Sequence, residues 1–499
     1  MEDARLDEGL LDIHQRVKAF DKPFAYLVMN QKVEEFCSYC CYRPSSGKLL
    51  ICGRCKFARY CDKACQKQAW PDHKLECRRL QAVFPNLPLS EVIFLGRIAD
   101  KVAHIKKNGD TFFWQSDRKW DDLLGHQEIV KEDERRMTHF KKTVEKMQKF
   151  MAEDCPEEEE LFNIYCKTWI NSHSIHNSSG IEIGMALDLG VSRYDHSCRP
   201  NAALVFDGFH AMIRPLVPKL DAADWSKTYI SYIDIGRSRY QRRKDLWKKW
   251  YFHCECSRCT DSEEEYLTSI KCSNPSCKAA IPMNEETKPV DLKCAACHAV
   301  IPAETVERAR DFMLSLPNQY NLEDTEENKA LMADWRAKAD ELLHEDNIYR
   351  SRIITAALHF SGTGAQEICT PENHKMIYET YRRCFPAADR HLGYKLLDLV
   401  RTMLEQERRD EATAYAYEAM TIFEVCFGMD HPYYLQTLAL WTFLNEKADK
   451  TTAQLLQLLN FDNNKKVDLK SLLAKAEEQA KAAGQTGVKA GLPMVVGQG

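Results

Sequence analysis

No run of 18 apolar residues occurs in this 499-residue chain, so no helix is expected to cross a membrane. The first 30 residues are charged and lack the apolar stretch of a secretory leader, so export to an oxidising compartment is not expected. A surplus of positive charge is also missing. Lys and Arg number 69 against 74 Asp and Glu, a net charge of −5, which by itself is no signature of nucleic-acid binding. No clean 34-residue self-similarity is visible, so any helical repeats are expected to be degenerate.

Cysteine, by contrast, is abundant, with 21 residues. Thiols at short paired spacings, without a leader, read as metal ligands in a reducing compartment. Nucleus and cytoplasm both meet that condition. The length allows about three domains at ~150 residues each, and 44% hydrophobic residues can supply their cores.

Residues 37–77 carry four ligand pairs in succession: Cys37-x2-Cys40, Cys52-x2-Cys55, Cys61-x3-Cys65 and His73-x3-Cys77. Eight ligands make two tetrahedral zinc sites. The last pair fits one turn of helix, where i and i+4 share a face. Spacing alone permits sequential or interleaved pairing. Cys41 has no partner at ligand spacing. Lys56, Arg59, Lys63, Lys67, Lys74, Arg78 and Arg79 make the segment basic, either as a solvated surface or as a face for nucleic acid.

A second group of thiols is incomplete as it stands. Cys254-x-Cys256-x2-Cys259 supplies three ligands, and a structural zinc site wants four. Cys198, in Tyr194-Asp195-His196-Ser197-Cys198-Arg199-Pro200-Asn201, has no ligand-spaced neighbour and is the natural fourth. Further on, Cys272-x4-Cys277 and Cys294-x2-Cys297 form a complete set, like a zinc ribbon; the alternative is a group of unligated surface thiols.

Between these landmarks, residues 22–29 read as a strand ending in Tyr26-Leu27-Val28-Met29. Residues 85–160 read as charged helices, with Met137, Phe140, Val144, Met147 and Met151 at helical spacing. Glu157 to Glu160 look like a solvated helix start. Tyr229 to Asp234 read as a strand. Residues 303–460 are helical, with Ala412, Ala416, Ala419 and Phe423 on one face and Pro432 opening a new helix. From Asn463 onward Lys, Ala, Gly and Gln dominate, a composition expected to be disordered.

Taken together, these segments resemble the SET-and-MYND (SMYD) family of protein-lysine methyltransferases. The family motif Asn-His-Ser-Cys-x-Pro-Asn is matched by Asp195-His196-Ser197-Cys198-Arg199-Pro200-Asn201, with Asp for the first Asn. The 37–77 spacing, with Tyr60-Cys61 and Trp70-Pro71-Asp72-His73, resembles a MYND finger. Ser231-Tyr232-Ile233-Asp234 resembles the family's Ser-Tyr-Ile-Asp, and Asn171-Ser172-His173 its Asn-Ser-Phe. Phe427-Gly428-Met429-Asp430-His431-Pro432-Tyr433 resembles the last repeat of the family's helical domain.

The resemblance implies an α+β chain: a SET-domain β-fold interrupted by a MYND zinc finger, a post-SET zinc site, and a C-terminal tetratricopeptide-like helical domain. Its expected divisions are 1–36 (first SET part), 37–77 (finger), 78–170 (helical insertion), 171–260 (SET core and post-SET zinc), 261–302 (ribbon-like insertion), 303–460 (helical domain) and 461–499 (tail). It implies interleaved pairing in the finger: Cys37, Cys40, Cys61 and Cys65 on one zinc, and Cys52, Cys55, His73 and Cys77 on the other. It also implies methyl transfer from S-adenosylmethionine to a lysine of a histone or another protein. Tyr232 would be catalytic; Gly9, Asn171, Asp195, His196 and Phe252 would meet the cofactor. The family's opening Gly-x-Gly turn is reduced here to Gly9, and Trp250 stands where a second Tyr of the lysine channel is expected.

MYND fingers elsewhere take proline-rich peptides, and Tyr60 and Trp70 would form the groove for one unless both are finger core. The expected protein is a monomer of nucleus or cytoplasm, with no membrane partner. Two rival readings remain at this level. One is a SET fold that no longer turns over and serves as an interaction scaffold; the other is a nucleic-acid-binding zinc protein, which only the basic finger supports.

Overall fold

A computed structural model describes residues 13–14, 16–44, 47–110, 118–177, 180–320, 322–358, 360 and 367–460. Gly9 and the 461–499 tail lie outside the described residues. The chain forms small β-sheets wrapped by helices. Strands β1 (Lys18–Ala19) and β2 (Ala25–Val28) lead to a hairpin of β3 (Leu50–Ile51) and β4 (Arg59–Tyr60), then to helix α1 (Lys63–Val83). Four more helices follow: α2 (Ser90–Asn108), α3 (Gln127–Glu132), α4 (Glu134–Met151) and α5 (Glu158–Asn171). Next come β5 (His173–His176), β6 (Glu182–Leu187), β7 (Asp195–His196), β8 (Ala202–Asp207), β9 (His210–Pro215), β10 (Tyr229–Ile230) and helix α6 (Arg239–Trp250).

One sheet has the order β1-β9-β8 and another β2-β6-β5, all antiparallel, while β7 and β10 pair in parallel. Every residue of β2 is buried, because each face meets a different core. Ala25 and Leu27 enter the cluster built by the finger and α1, α2, α4 and α5; Tyr26 and Val28 enter a second cluster with Ile175, Ile183 and Phe209. Period-two alternation thus joins two cores through one strand. Pairing of β2 with β6 brings Gly184 so close that a Cβ there would lie 2.4 Å from the Leu27 carbonyl oxygen.

Helix α4 runs from an Asp133 cap that accepts the Arg135 and Arg136 backbone N–H groups. Its buried face is Phe140, Val144, Met147 and Met151, the stripe expected from spacing. Helix α5 starts at Glu158 behind Glu157, with acidic residues on its positive end. One expectation fails here. The strand expected over Tyr229 to Asp234 stops after Ile230. The Tyr232 N–H donates instead to His196 Nδ1 at 3.0 Å, and Ser231 Oγ folds back on the Ile233 carbonyl at 2.7 Å, so the ladder cannot continue.

After α6, two short hairpins, β11 (Ile270–Lys271) with β12 (Ala280–Ile281) and β13 (Leu292–Lys293) with β14 (Val300–Ile301), carry the last thiol set. Helices α7 (Ala303–Ser315), α8 (Glu326–Leu342), α9 (Ile348–Ala357), α10 (Pro371–Arg382), α11 (Arg390–Glu405), α12 (Arg409–Phe427), α13 (Pro432–Asn445) and α14 (Thr452–Gln457) complete the described chain. Ala412, Ala416 and Ala419 of α12 are fully buried, and α11 approaches so closely that a Cβ at Gly393 would lie 2.5 Å from Phe423. Small residues at these crossings let the helices pack in successive layers. A single hydrophobic cluster runs from Cys198 and Cys259 through Ile301 and Met313 to Leu396 and Phe423, so the C-terminal helices share a core with Cys198, Cys254, Cys259 and Cys294, while the finger thiols belong to a separate core.

Candidate active site and metal centres

The thiols gather into four groups: Cys37, Cys40, Cys61 and Cys65; Cys52, Cys55, His73 and Cys77; Cys198, Cys254, Cys256 and Cys259; Cys272, Cys277, Cys294 and Cys297. Within each group all ligand atoms lie within 4.8 Å of one another. A tetrahedral zinc with Zn–S of about 2.3 Å has sulfur–sulfur edges of about 3.8 Å. The measured edges agree: 3.7 Å for Cys40–Cys61, 3.8 Å for Cys52–Cys77, 3.9 Å for Cys198–Cys254 and 3.7 Å for Cys277–Cys294. Each group therefore fits one zinc. Pairing in the finger is interleaved, because the β3–β4 hairpin brings Cys61 back beside Cys37 while α1 carries His73 and Cys77 to Cys52 and Cys55. Cys41 is buried and belongs to no group.

The second finger site has a buried support. His73 Nε2 lies 3.6 Å from Cys55 Sγ, and its Nδ1 is 2.7 Å from Glu76. Arg97 of α2 grips the same carboxylate through Nε at 3.0 Å and Nη2 at 2.7 Å, and it also donates to the Tyr26 carbonyl of β2. A carboxylate behind a ligating imidazole fixes its tautomer and orientation. The finger's aromatic pair separates in the fold: Tyr60 is core, whereas Trp70 is exposed. Its basic set is also divided. Arg79 is buried against Asp100, and Arg59 pairs with Glu34, so neither stands as a free surface cation.

The third thiol group lies next to a cavity. Strands β7 and β10 pair Tyr229 with Asp195 and Ile230 with His196. Asn201 secures the pair by accepting from the Tyr229 N–H and donating to the Lys227 carbonyl, both at 2.8 Å. His196 accepts from the Tyr232 N–H at Nδ1, so a neutral ring carries its proton on Nε2, 3.2 Å from Cys198 Sγ. Behind the thiols, Glu264 is clasped by Arg258 at 2.9 and 3.0 Å and by Arg242, all buried. Arg242 also donates to Cys259 Sγ at 3.6 Å, placing positive charge beside thiolates. Arg258 reaches the carbonyls of Ile235 at 2.8 Å and Cys384 at 2.7 Å, joining this site to the C-terminal helices.

The cavity has a volume of about 410 Å³. Asn171, Asp195, Tyr232 and Phe252 line it together, although they are distant in sequence. His196 is not among the residues that line it; its ring stands behind Tyr232 and Phe252, with centroids 5.3 and 6.2 Å away. Tyr232 donates its hydroxyl to the Tyr194 carbonyl at 2.6 Å, and burial raises its pKa. Trp250 packs on Tyr232 with ring centroids 5.1 Å apart and donates Nε1 to the Ile170 carbonyl at 3.0 Å. Asn171 donates Nδ2 to the carbonyls of Leu124 and Lys167, each at 2.8 Å. Burial pushes the His173 imidazole down to about 3 and that of His176 to about 4. Burial, then Arg136, lowers Lys249 to about 8.

Several lining residues were not identified from sequence. Arg118, Lys249 and Arg390 carry no motif, and Phe385, Asp389 and His391 come from the C-terminal region. The only sequence signal near any of them is that Lys249 immediately precedes Trp250.

Comparison with known proteins agrees with this geometry. A model of the MYND finger matches residues 37–77. Human histone-lysine N-methyltransferase SMYD3 is 30% identical over 421 residues, 82% of this chain and 87% of that protein. The chain belongs to the SET-and-MYND family. Two further relatives align over comparable lengths. The zebrafish (Danio rerio) N-lysine methyltransferase SMYD2-B is 25% identical over 404 residues, covering 79% of this chain and 85% of its own. Histone-lysine N-methyltransferase ASHR1 of Arabidopsis thaliana is 23% identical over 438 residues, covering 83% and 87%. The SMYD architecture accounts for the finger, the small β-sheets and the C-terminal helices in one chain.

Proposed function

We propose that this protein transfers a methyl group from S-adenosylmethionine to a lysine side chain of a histone or another protein. The observation that carries the reading is the meeting of Asn171, Asp195, Tyr232 and Phe252 around one cavity. The residues there suit the cofactor. The volume falls in the range of small-molecule sites, and Phe252 offers an aromatic face for a purine. Both N–H donors of Asn171 are engaged, so its remaining capacity is to accept, as an ammonium requires. When bound, S-adenosylmethionine supplies a methyl group already activated on a sulfonium.

The work of the chain is then positioning and desolvation. The aromatic walls of Tyr232 and Trp250 exclude water from the lysine, and desolvation favours its neutral, nucleophilic form. Because the Tyr232 hydroxyl hydrogen is held by the Tyr194 carbonyl, its oxygen retains lone pairs to accept weak C–H or N–H contacts. The third zinc site holds Cys254, two residues after Phe252, and so anchors that ring.

The scaffold reading has one specific observation in its favour: the indole of Trp250 is bonded to the Ile170 carbonyl and packed against Tyr232, in the cavity itself. Calorimetry with S-adenosylmethionine separates the two. Binding by the wild type, tightened by Asp195→Asn, supports the enzyme; absence of binding by both, with zinc sites full, leaves the scaffold. Within this proposal the SET parts are residues 1–36 and 171–260, with the finger at 37–77, the insertions at 78–170 and 261–302, and the helical domain at 303–460; limited proteolysis checks these boundaries. Exposed Trp70 is the anchor for a proline-rich peptide at the finger. Thiolate zinc sites suit the reducing nucleus or cytoplasm, and fluorescence microscopy of a tagged chain decides between them.

A further inference from the structure

Lys249 lies in the last turn of α6, immediately before Trp250, and lines the cavity. Its Nζ lies 3.4 Å from the Ser172 carbonyl oxygen, 4.5 Å from the Trp250 ring centroid and 5.9 Å from that of Trp169. Among the described residues, no carboxylate lies in salt-bridge range of it. The groups facing it are otherwise positive or neutral. Arg136 of α4 sits 3.4 Å over the same Trp169 ring, and His173 and His176 of β5 stand nearby with lowered basicity. The nearby carboxylates are occupied elsewhere. Glu182 of β6 raises the Lys249 pKa, but less than burial and Arg136 lower it, and it accepts from Ser174 Oγ at 2.6 Å; Asp389 is bound by His391 at 2.7 Å. Asp195 of β7 also lines the cavity and acts on Arg118.

A desolvated ammonium without a counter-ion is unfavourable, and burial drives its pKa down, to about 8. A ligand that brings a carboxylate to Nζ relieves that cost. Two ligands of the proposed reaction carry carboxylates: the cofactor and an acidic peptide. Position favours the peptide. The Lys249 ammonium lies 4.5 Å from the ring of Trp250, which packs on Tyr232 at 5.1 Å, so it stands beside the aromatic pair that would enclose the target lysine.

We propose that Lys249 is a specificity-determining residue that pairs with an Asp or Glu side chain beside the target lysine, so that lysines in acidic sequence are preferred. This inference rests on the methyltransferase reading above. Its direct test uses fluorescent peptides with one lysine flanked by Glu, Gln or Arg, together with the same peptides carrying norleucine in place of that lysine. The first set reads kcat/KM, and the second reads affinity without requiring turnover.

In the wild type, Glu-flanked peptides should exceed Arg-flanked ones by about tenfold at low salt in both readouts, a ratio that falls as ionic strength rises. Lys249→Gln should reduce the ratio to within about twofold, and Lys249→Glu should invert it. Zinc content and the thermal unfolding midpoint of each variant establish that the fold is intact, and S-adenosylmethionine affinity is read separately. Equal wild-type values for all flanks, with the cofactor bound and methyl transferred, would overturn the inference and leave the methyltransferase reading standing. A flank ratio that survives Lys249→Gln, accompanied by a roughly tenfold loss of cofactor affinity, would assign the residue to the cofactor instead. Absence of cofactor binding in the wild type would overturn both.

Discussion

Glu76→Gln tests how the finger is held, since it keeps the shape of the side chain while removing its charge. Glu76 is buried and accepts from His73 Nδ1 at 2.7 Å, from Arg97 Nε at 3.0 Å and from Arg97 Nη2 at 2.7 Å. The amide turns one acceptor oxygen into a donor that faces donors. Each charged hydrogen bond is worth about 1.5–3 kcal/mol, and a buried guanidinium left without its carboxylate costs about 3–5 kcal/mol. Because the amide oxygen retains part of the network, a loss of about 3 kcal/mol is expected, near the lower end of that range. The imidazole also loses the carboxylate that orients it, which lowers zinc affinity at that site by about 10- to 100-fold.

Zinc release can be followed with a chromogenic chelator. One zinc of the finger should leave early in Glu76→Gln, while the site of Cys37, Cys40, Cys61 and Cys65 releases as in the wild type. Amide exchange at Tyr26 to Val28 should rise as well, because Arg97 holds the Tyr26 carbonyl. Release curves that superimpose on the wild type, with unchanged thermal stability, would refute the account of the Glu76 network.

The other predictions are more direct. Elemental analysis should find four zinc ions per chain, one for each thiol group; three would remove the group of Cys272, Cys277, Cys294 and Cys297. Tyr232→Phe should leave S-adenosylmethionine affinity within about twofold and lower kcat by about 10²-fold, measured by single-turnover kinetics; an equal loss in both would place the hydroxyl in cofactor binding instead. Burial raises Glu285 to about 7, against hydroxyl donors Ser238 and Tyr349. A carboxyl raised on folding is protonated more readily in the native state, so its contribution is full below about 4.5 and is lost as pH climbs to about 7. That loss is roughly 3 kcal/mol, and urea unfolding across this range should flatten in Glu285→Gln. An unchanged pH slope would show that Glu285 is not the group responsible.

The metal ligands were legible in the sequence because tetrahedral thiolate chemistry demands short spacings, and few other structures do. The same chemistry pointed from Cys254, Cys256 and Cys259 back to Cys198 across the intervening chain. The helical stripe of α4 and the helix opened by Pro432 were legible for a local reason too: side-chain period and proline's fixed φ act within a few residues. The strand expected over Tyr229 to Asp234 failed because β-branched composition records only a preference. Whether a ladder continues depends on a partner, and here the partner at Tyr232 is an imidazole.

What the sequence determined alone is thus the chemistry that is local: which thiols group as metal ligands and which stretches are helical. Tertiary structure decided the rest. It chose interleaved over sequential pairing by folding β4 back beside the first ligands. It placed the His196 ring between the Cys198 sulfur and the Tyr232 N–H, and it brought Arg118, Lys249 and Arg390 to the cavity from three separate segments. Isolated cations in sequence look alike whether they face solvent or a binding site. Only the packing of distant elements removes water from one of them, and that packing is a property of the whole fold.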